Sequence, residues 1–225
     1  MVRVSGALMP RPTVPKGKRK IVSALRALHA EHEETIRRRL GEFASVPPSE
    51  YFYELLYCLL TPQSSAVNAD AVVQELRSGE FLRTGFDPEP LLRNPRHYIR
   101  FHRVKARRLL EAMGIHAQIQ QLVESSSDPH ARRDLLVARV NGFGLKEASH
   151  FLRNIGRNDG LAILDRHILR NLKRYGAIRA IPSSLTRKRY LAVEKRFTDF
   201  SSEIGIPIDE LDLLFWSMET GEVRK

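Results

Sequence analysis

Cysteine is nearly absent from this chain. Cys58 is the only one in 225 residues, which excludes a disulfide within the chain and an iron–sulfur cluster held by four of its own thiolates. Long apolar runs are missing as well. None reaches the length that a bilayer-spanning helix needs, and no signal-peptide pattern is visible, so a cytoplasmic protein is expected. The eight histidines show no metal-ligand spacing, such as two on one helix face beside an acid, so no metal site is expected and packed or solvated roles suit them. No stretch alternates in the manner of a β-sheet, and there is no internal repeat. The first twenty residues contain no acid at all.

What is present is positive charge. The net charge is +11 and the isoelectric point about 10.1, which favours a polyanionic partner; an anionic membrane surface would attract it too. At 25.8 kDa and 42% hydrophobic content, the chain can build one large domain or two small ones with real cores.

Residues 1–20 read as a flexible basic N-terminal arm. Arg3, Arg11, Lys16, Lys18, Arg19 and Lys20 supply its charge, and Pro10, Pro12 and Pro15 break any helix. Ile21, Leu25, Leu28, Ile36, Leu40 and Phe43 then recur at helical spacing, giving one long helix or two with a break near Glu31. Pro47, Pro48 and Ser49 stop the chain and cap a new helix. Tyr51 to Leu60 is apolar on most sides and therefore buried. It ends at Thr61-Pro62, and another helix runs from Ala66 towards Gly79. Residues 80–95 look like loop. The stretch from Tyr98 to Leu109 interleaves bases with aromatics and either tracks a phosphate backbone or is a solvated face. Asp128-Pro129 opens a further helix, as a cap followed by proline at the first position. A core stripe from Tyr190 to Ile204 and a last helix after Pro207 complete an all-α pattern.

One stretch carries chemistry: Val140-Asn141-Gly142-Phe143-Gly144-Leu145-Lys146-Glu147-Ala148. A helical pattern ends just before it and another begins at its end. Two glycines around one apolar residue make a tight hairpin, and backbone N–H groups at the start of the next helix suit a phosphate. An αα-corner with a solvated lysine is the plain alternative. Lys146, however, is followed 19 positions later by Asp165, in Ile163-Leu164-Asp165-Arg166-His167-Ile168. Asp165 stands where a helix begins, so it also reads as an N-cap.

This segment resembles the helix-hairpin-helix DNA glycosylase superfamily, in which a Gly-x-Gly-x-Lys hairpin is followed by an aspartate at this distance. The run from Gly144 to Gly156, and the C-terminal Phe215-Trp216-Ser217-Met218-Glu219-Thr220-Gly221-Glu222-Val223-Arg224-Lys225, resemble the short archaeal-type 8-oxoguanine DNA glycosylase/AP lyase branch. The resemblance covers the chain from about Ile21 onward. It implies two helical lobes with an active-site cleft between them: residues 49–156, ending in the hairpin, and residues 21–48 joined to 157–225.

The resemblance also implies a reaction. A base must be flipped out of the duplex before it can be excised. Lys146 would attack the sugar as a neutral amine and form a Schiff base, and β-elimination would then cut the strand. Asp165 would orient or deprotonate Lys146 and stabilise charge developing on the sugar. Gly142, Phe143 and Gly144 would grip the DNA backbone. Gln63, in Leu59-Leu60-Thr61-Pro62-Gln63-Ser64, would fill the gap in the duplex. Trp216 and Lys225 would recognise the lesion, the former by stacking and the latter through its carboxylate. No cofactor would be required, although a monovalent cation held by the carbonyls of Ala138, Val140 and Phe143 fits the superfamily. The partner would be double-stranded DNA containing damaged guanine, met by a monomer associated with the nucleoid, with no membrane role. Two other readings stay open: a noncatalytic helix-hairpin-helix DNA-binding module, and a glycosylase for oxidised pyrimidines. The Lys146/Asp165 pair argues against the first. Endonuclease III-like members usually carry a four-cysteine cluster, so Cys58 alone argues against the second.

Overall fold

The structure, a computed structural model, describes residues 17–221. Among them every regular element is helical and there is no strand. The α-helices run α1 (Lys18–Ala44), α2 (Tyr51–Leu60), α3 (Ala66–Ser78), α4 (Phe81–Thr84), α5 (Glu89–Leu92), α6 (His102–Met113), α7 (His116–Glu124), α8 (Pro129–Arg139), α9 (Leu145–Asn154), α10 (Arg166–Arg174), α11 (Arg187–Ile204) and α12 (Ile208–Thr220). They form two compact units. One is Val46–Asn158; the other joins the residues up to Ser45 to those from Asp159 onward.

The Val46–Asn158 unit is built around α2. Every residue of that helix except Tyr53 is buried, because α3, α6, α7 and α9 pack on it from different sides. Phe52 stacks on Phe81, and Tyr51 meets Phe151 edge-on. Each such side chain contributes about 1.5–3 kcal/mol through burial. Polar groups tie α9 into this core: Asn154 Nδ2 donates to Glu54 Oε2 at 3.1 Å, and buried Arg133 reaches Ser149 Oγ at 3.2 Å.

The other unit rests on α1, a single helix of 27 residues with no break near Glu31. Its buried Leu25, Ile36 and Phe43 belong to the face that packs on α11 and α12. His29 Nε2 lies 2.5 Å from Glu210 Oε2, fastening α1 to α12. Phe215 of α12 stacks between Tyr175 and Phe197.

Three sequence-based expectations need correction. The arm expected over residues 1–20 gives way to helix at Lys18: Gly17, at φ +98, turns the chain into α1 and its carbonyl accepts from Ile21 N. Residues 1–16 lie outside the described part. The stretch 80–95 is not plain loop but holds α4 and α5, each a single turn, α4 ended by Gly85 at φ +60 and α5 begun on Pro88. Ser49 caps nothing; it sits inside a short 3-10 turn, Pro48–Glu50, that leads into α2.

Candidate active site

The hairpin between α8 and α9 forms because each helix end is closed by local chemistry. Val140 leaves α8 with extended backbone, its N–H still bonded to Leu136 O. Gly142 then takes φ +96, a conformation that a residue with a β-carbon adopts at a cost. Phe143 N closes the turn onto Val140 O at 3.1 Å. Gly144 is different from Gly142: its backbone is extended, at φ −105 and ψ −174. As the N-cap of α9 it offers its N–H to Glu147 Oε2 at 3.1 Å. The Phe143 side chain is buried and tilts against Phe151, so its ring belongs to the packing under the hairpin.

Lys146 stands on the first turn of α9, half-buried, with Nζ 3.9 Å from Glu147 Oε1. Arg108 of α6 lies over the hairpin, and Asn141 Nδ2 donates to Glu111 Oε2 at 2.7 Å, so α6 braces the hairpin twice. Gln63 belongs to the same unit. It is exposed at the tip of the turn that follows α2 and has φ +55, an uncommon value for a residue other than glycine.

Lys105 is the residue that sequence reasoning misplaced. In the run from Tyr98 to Leu109 it reads as one more base on a helix face, yet it is only 2% exposed. Its Nζ lies 2.7 Å from both Leu60 O and Pro62 O and 3.1 Å from Ser64 Oγ. Burial pulls the ammonium down to about 8; the nearby charges of Arg108, Lys146 and Arg100 act in the same sense and Glu147 opposes them. The turn bearing Gln63, the buried Lys105 and the hairpin bearing Lys146 thus share one basic locality of the Val46–Asn158 unit.

Asp165 and Trp216 belong to the other unit. Asp165 is the N-cap of α10, and one carboxylate oxygen, Oδ1, accepts both from His167 N at 2.7 Å and from Ile168 N at 2.8 Å. The cap does not use Oδ2. The residues before it, Leu161 to Leu164, are buried without helical hydrogen bonds, so their backbone groups need other partners. Side chains of α11 supply them. Glu194 Oε1 accepts from Ala162 N at 2.9 Å, and Tyr190 Oη donates to Ala162 O at 2.6 Å while accepting from Leu164 N at 3.3 Å. No local signal in the sequence marks Tyr190 or Glu194 for this task; Tyr190 is visible there only as a member of the core stripe.

Trp216 is half-buried, in contrast to its neighbour Phe215, and meets the His167 ring edge-on at 6.4 Å. Glu219 Oε2 lies 3.8 Å from His167 Nδ1 and 3.5 Å from Arg170 Nη1. His167 is held below the ordinary histidine value, first by burial and then by Arg166 and Arg170, against Asp165 and Glu219, which pull it up. Lys225 lies outside the described residues. Among the described residues no group of histidine, cysteine and carboxylate side chains could hold a metal ion, and no helix is long and apolar enough to cross a membrane.

Two helices joined through a glycine hairpin, with a lysine amine on the first turn of the second, make a helix-hairpin-helix within an all-α fold. The profile of one family, 8-oxoguanine DNA glycosylase, matches residues 36–206. The chain belongs to that family. It is 36% identical over 200 residues to the 8-oxoguanine DNA glycosylase/AP lyase of Methanocaldococcus jannaschii, covering 88% of this chain and 95% of the relative. It is 32% identical to the protein of the same name from Fusobacterium nucleatum, over 92% of this chain and 99% of that one. The crystal structure of the Methanocaldococcus jannaschii 8-oxoguanine glycosylase/lyase in complex with 15mer DNA containing 8-oxoguanine superposes with a TM-score of 0.80 at 33% identity, covering 91% of this chain and 99% of that one.

Proposed function

We propose that this protein is a bifunctional DNA glycosylase/AP lyase that removes 8-oxoguanine from DNA in base excision repair. The observation that carries the reading is Lys146 on the first turn of α9, behind the Gly142–Gly144 hairpin, in a chain that spans nearly the whole length of relatives bearing that name.

In this reading the hairpin backbone holds a phosphate without reading sequence, and the damaged nucleotide is turned out of the duplex. The neutral amine of Lys146 attacks C1′. The glycosidic bond breaks and its electron pair leaves with the base, which takes up a proton. Opening of the sugar then gives the Lys146 Schiff base. Loss of a C2′ proton expels the 3′ phosphate, which cuts the strand. Asp165 serves this sequence as a carboxylate with one oxygen committed to the α10 cap and the other available for chemistry. It orients or deprotonates Lys146 and stabilises the cationic sugar. Gln63 fills the space left by the nucleotide, Trp216 stacks on the flipped base, and Lys225 completes lesion recognition. The role of Lys225 rests on sequence resemblance alone. The protein acts on double-stranded DNA as a monomer.

The carbonyls of Ala138, Val140 and Phe143 fit a monovalent cation, being uncharged oxygen donors; Val140 O is already turned into the hairpin, where it accepts from Phe143 N. Such an ion, when bound, would add positive charge to the hairpin.

Borohydride trapping on duplexes carrying 8-oxoguanine, oxidised pyrimidines or a preformed abasic site tests the reading. A covalent complex on the 8-oxoguanine and abasic duplexes is expected from the wild type. Lys146→Gln should bind the duplex but lose base release, strand cleavage and the trapped adduct. An adduct formed by Lys146→Gln at the wild-type rate would remove Lys146 from the chemistry. A preference for oxidised pyrimidines would change the substrate, and DNA binding without any adduct would leave a binding module.

A further inference from the structure

The turn that carries Gln63 is held by a buried cation. Within it, Ser64 N bonds Thr61 O at 3.0 Å, and Gln63 sits at φ +55 with its side chain exposed. A left-handed residue with a side chain is strained and persists only where its surroundings fix it. The main fixture is Lys105, more than forty residues away on α6. Its ammonium has three protons and finds three oxygens: Leu60 O, Pro62 O and Ser64 Oγ. Leu60 O ends α2, where helical carbonyls lack partners within the helix. Ser64 Oγ is fixed in turn by accepting from Arg100 N at 3.0 Å.

This is a costly way to hold a turn. An amine buried to 2% exposure loses its hydration. It also stands among other cations: Arg100 before α6, Arg108 on α6 itself and Lys146 on α9, with Glu147 of α9 as the opposing charge. The Leu60–Ser64 turn contributes only carbonyl and hydroxyl oxygens. All three donors are committed to the backbone and hydroxyl that flank Gln63.

We propose that Lys105 is the positioning residue of Gln63, fixing the Leu60–Ser64 turn so that the Gln63 side chain is presented to the duplex, and that it affects excision only through that turn. The proposal rests on the reading of Gln63 as the side chain that fills the space left by the flipped nucleotide. A neutral amine has two protons for the same three oxygens, so the turn loosens when Lys105 loses its proton. That loss falls near pH 8, where burial and the surrounding arginines and Lys146 place it.

The test is a double-mutant cycle on single-turnover excision of 8-oxoguanine from duplex DNA at saturating enzyme. Gln63→Ala and Lys105→Met should each slow excision, by about tenfold, and the double variant should be no slower than Gln63→Ala. The ratio of wild-type to Gln63→Ala rates should also fall as pH rises through about 8. Both proteins keep Lys146 and Asp165, so titration of those residues cancels in the ratio, and a residue that only supports the fold would leave it flat. Losses that multiply, or a ratio independent of pH, overturn the proposal. A slow Gln63→Ala beside a Lys105→Met with wild-type rate overturns it while leaving the reading of Gln63 intact. Wild-type excision by Gln63→Ala removes that reading, and the proposal with it. If Lys105→Met does not fold, Ser64→Ala takes its place in the cycle, since it removes one of the three oxygens, and the same outcomes decide.

Discussion

The guanidinium arm of Arg108 lies against the bare α-carbon of Gly142, where an added β-carbon would come within 2.6 Å of Arg108 Cδ and 2.7 Å of Nε. Its φ of +96 is what calls for glycine at 142, and a β-carbon there would in addition displace Arg108. Gly142→Ala should cost about 1–2 kcal/mol in dihedral strain and push Arg108 off the hairpin. We expect a lower Tm and weaker binding to undamaged duplex. Adding Arg108→Ala should relieve the crowding but not the strain, so the double variant should not regain wild-type Tm. Thermal melts and duplex titrations of the three variants check this; a Gly142→Ala protein equal to wild type in both would show that the hairpin tolerates a side chain.

Asp165 separates a structural from a chemical role. Asn caps helices about as well as Asp, so Asp165→Asn should leave stability nearly unchanged, whereas Asp165→Ala should cost about 0.5–2 kcal/mol. Both should bind DNA and react very slowly. Chemical denaturation beside single-turnover excision distinguishes the two effects. If Asp165→Asn excised at the wild-type rate, the carboxylate would be a cap and nothing more.

His167 makes a pH-dependent contribution. Its folded-state value is below the ordinary 6.5, through burial and the neighbouring Arg166 and Arg170. Above pH 6.5 it is neutral both folded and unfolded. On acidification the unfolded chain takes the proton first, so the fold loses stability as pH falls from about 6.5 towards the depressed value. His167→Gln lacks this loss. The stability difference between wild type and His167→Gln should therefore shrink as pH falls below 6.5, measured by denaturant unfolding at several pH values. A difference that stayed constant or widened would mean that the histidine is protonated at least as easily folded as unfolded.

Trp216 stands half-buried beside His167. Trp216→Ala should lose about 1–3 kcal/mol of stacking on the flipped base. The loss should appear in excision of 8-oxoguanine and not in strand cleavage at a preformed abasic site, where there is no base to stack. Rates on the two substrates, measured side by side, decide it. Equal slowing on both would make Trp216 a support for α10 instead of a platform for the base.

The sequence by itself determined the features that a few consecutive residues can encode. Helical periodicity with no alternating stretch gave the all-α class. Asp128-Pro129 opened α8, Asp165 capped α10, and Gly142 marked the hairpin, because capping and left-handed turns depend on chemistry within one turn of chain. Lys146 and Asp165 stood out through resemblance, since a Gly-x-Gly-x-Lys hairpin with an aspartate 19 positions after the lysine matches the glycosylase motif. What only the tertiary structure decided depends on partners far apart in the chain. Lys105 carries the same charge as its neighbours in a basic run, and nothing local says that it turns inward to oxygens more than forty positions earlier. The buried backbone of Leu161 to Leu164 needed Tyr190 and Glu194 from α11. On α12, packing of Phe215 between Tyr175 and Phe197 leaves Trp216 half-buried beside His167. Burial of a charge or an unpaired amide is settled by what surrounds it, and those surroundings exist only once the helices have packed.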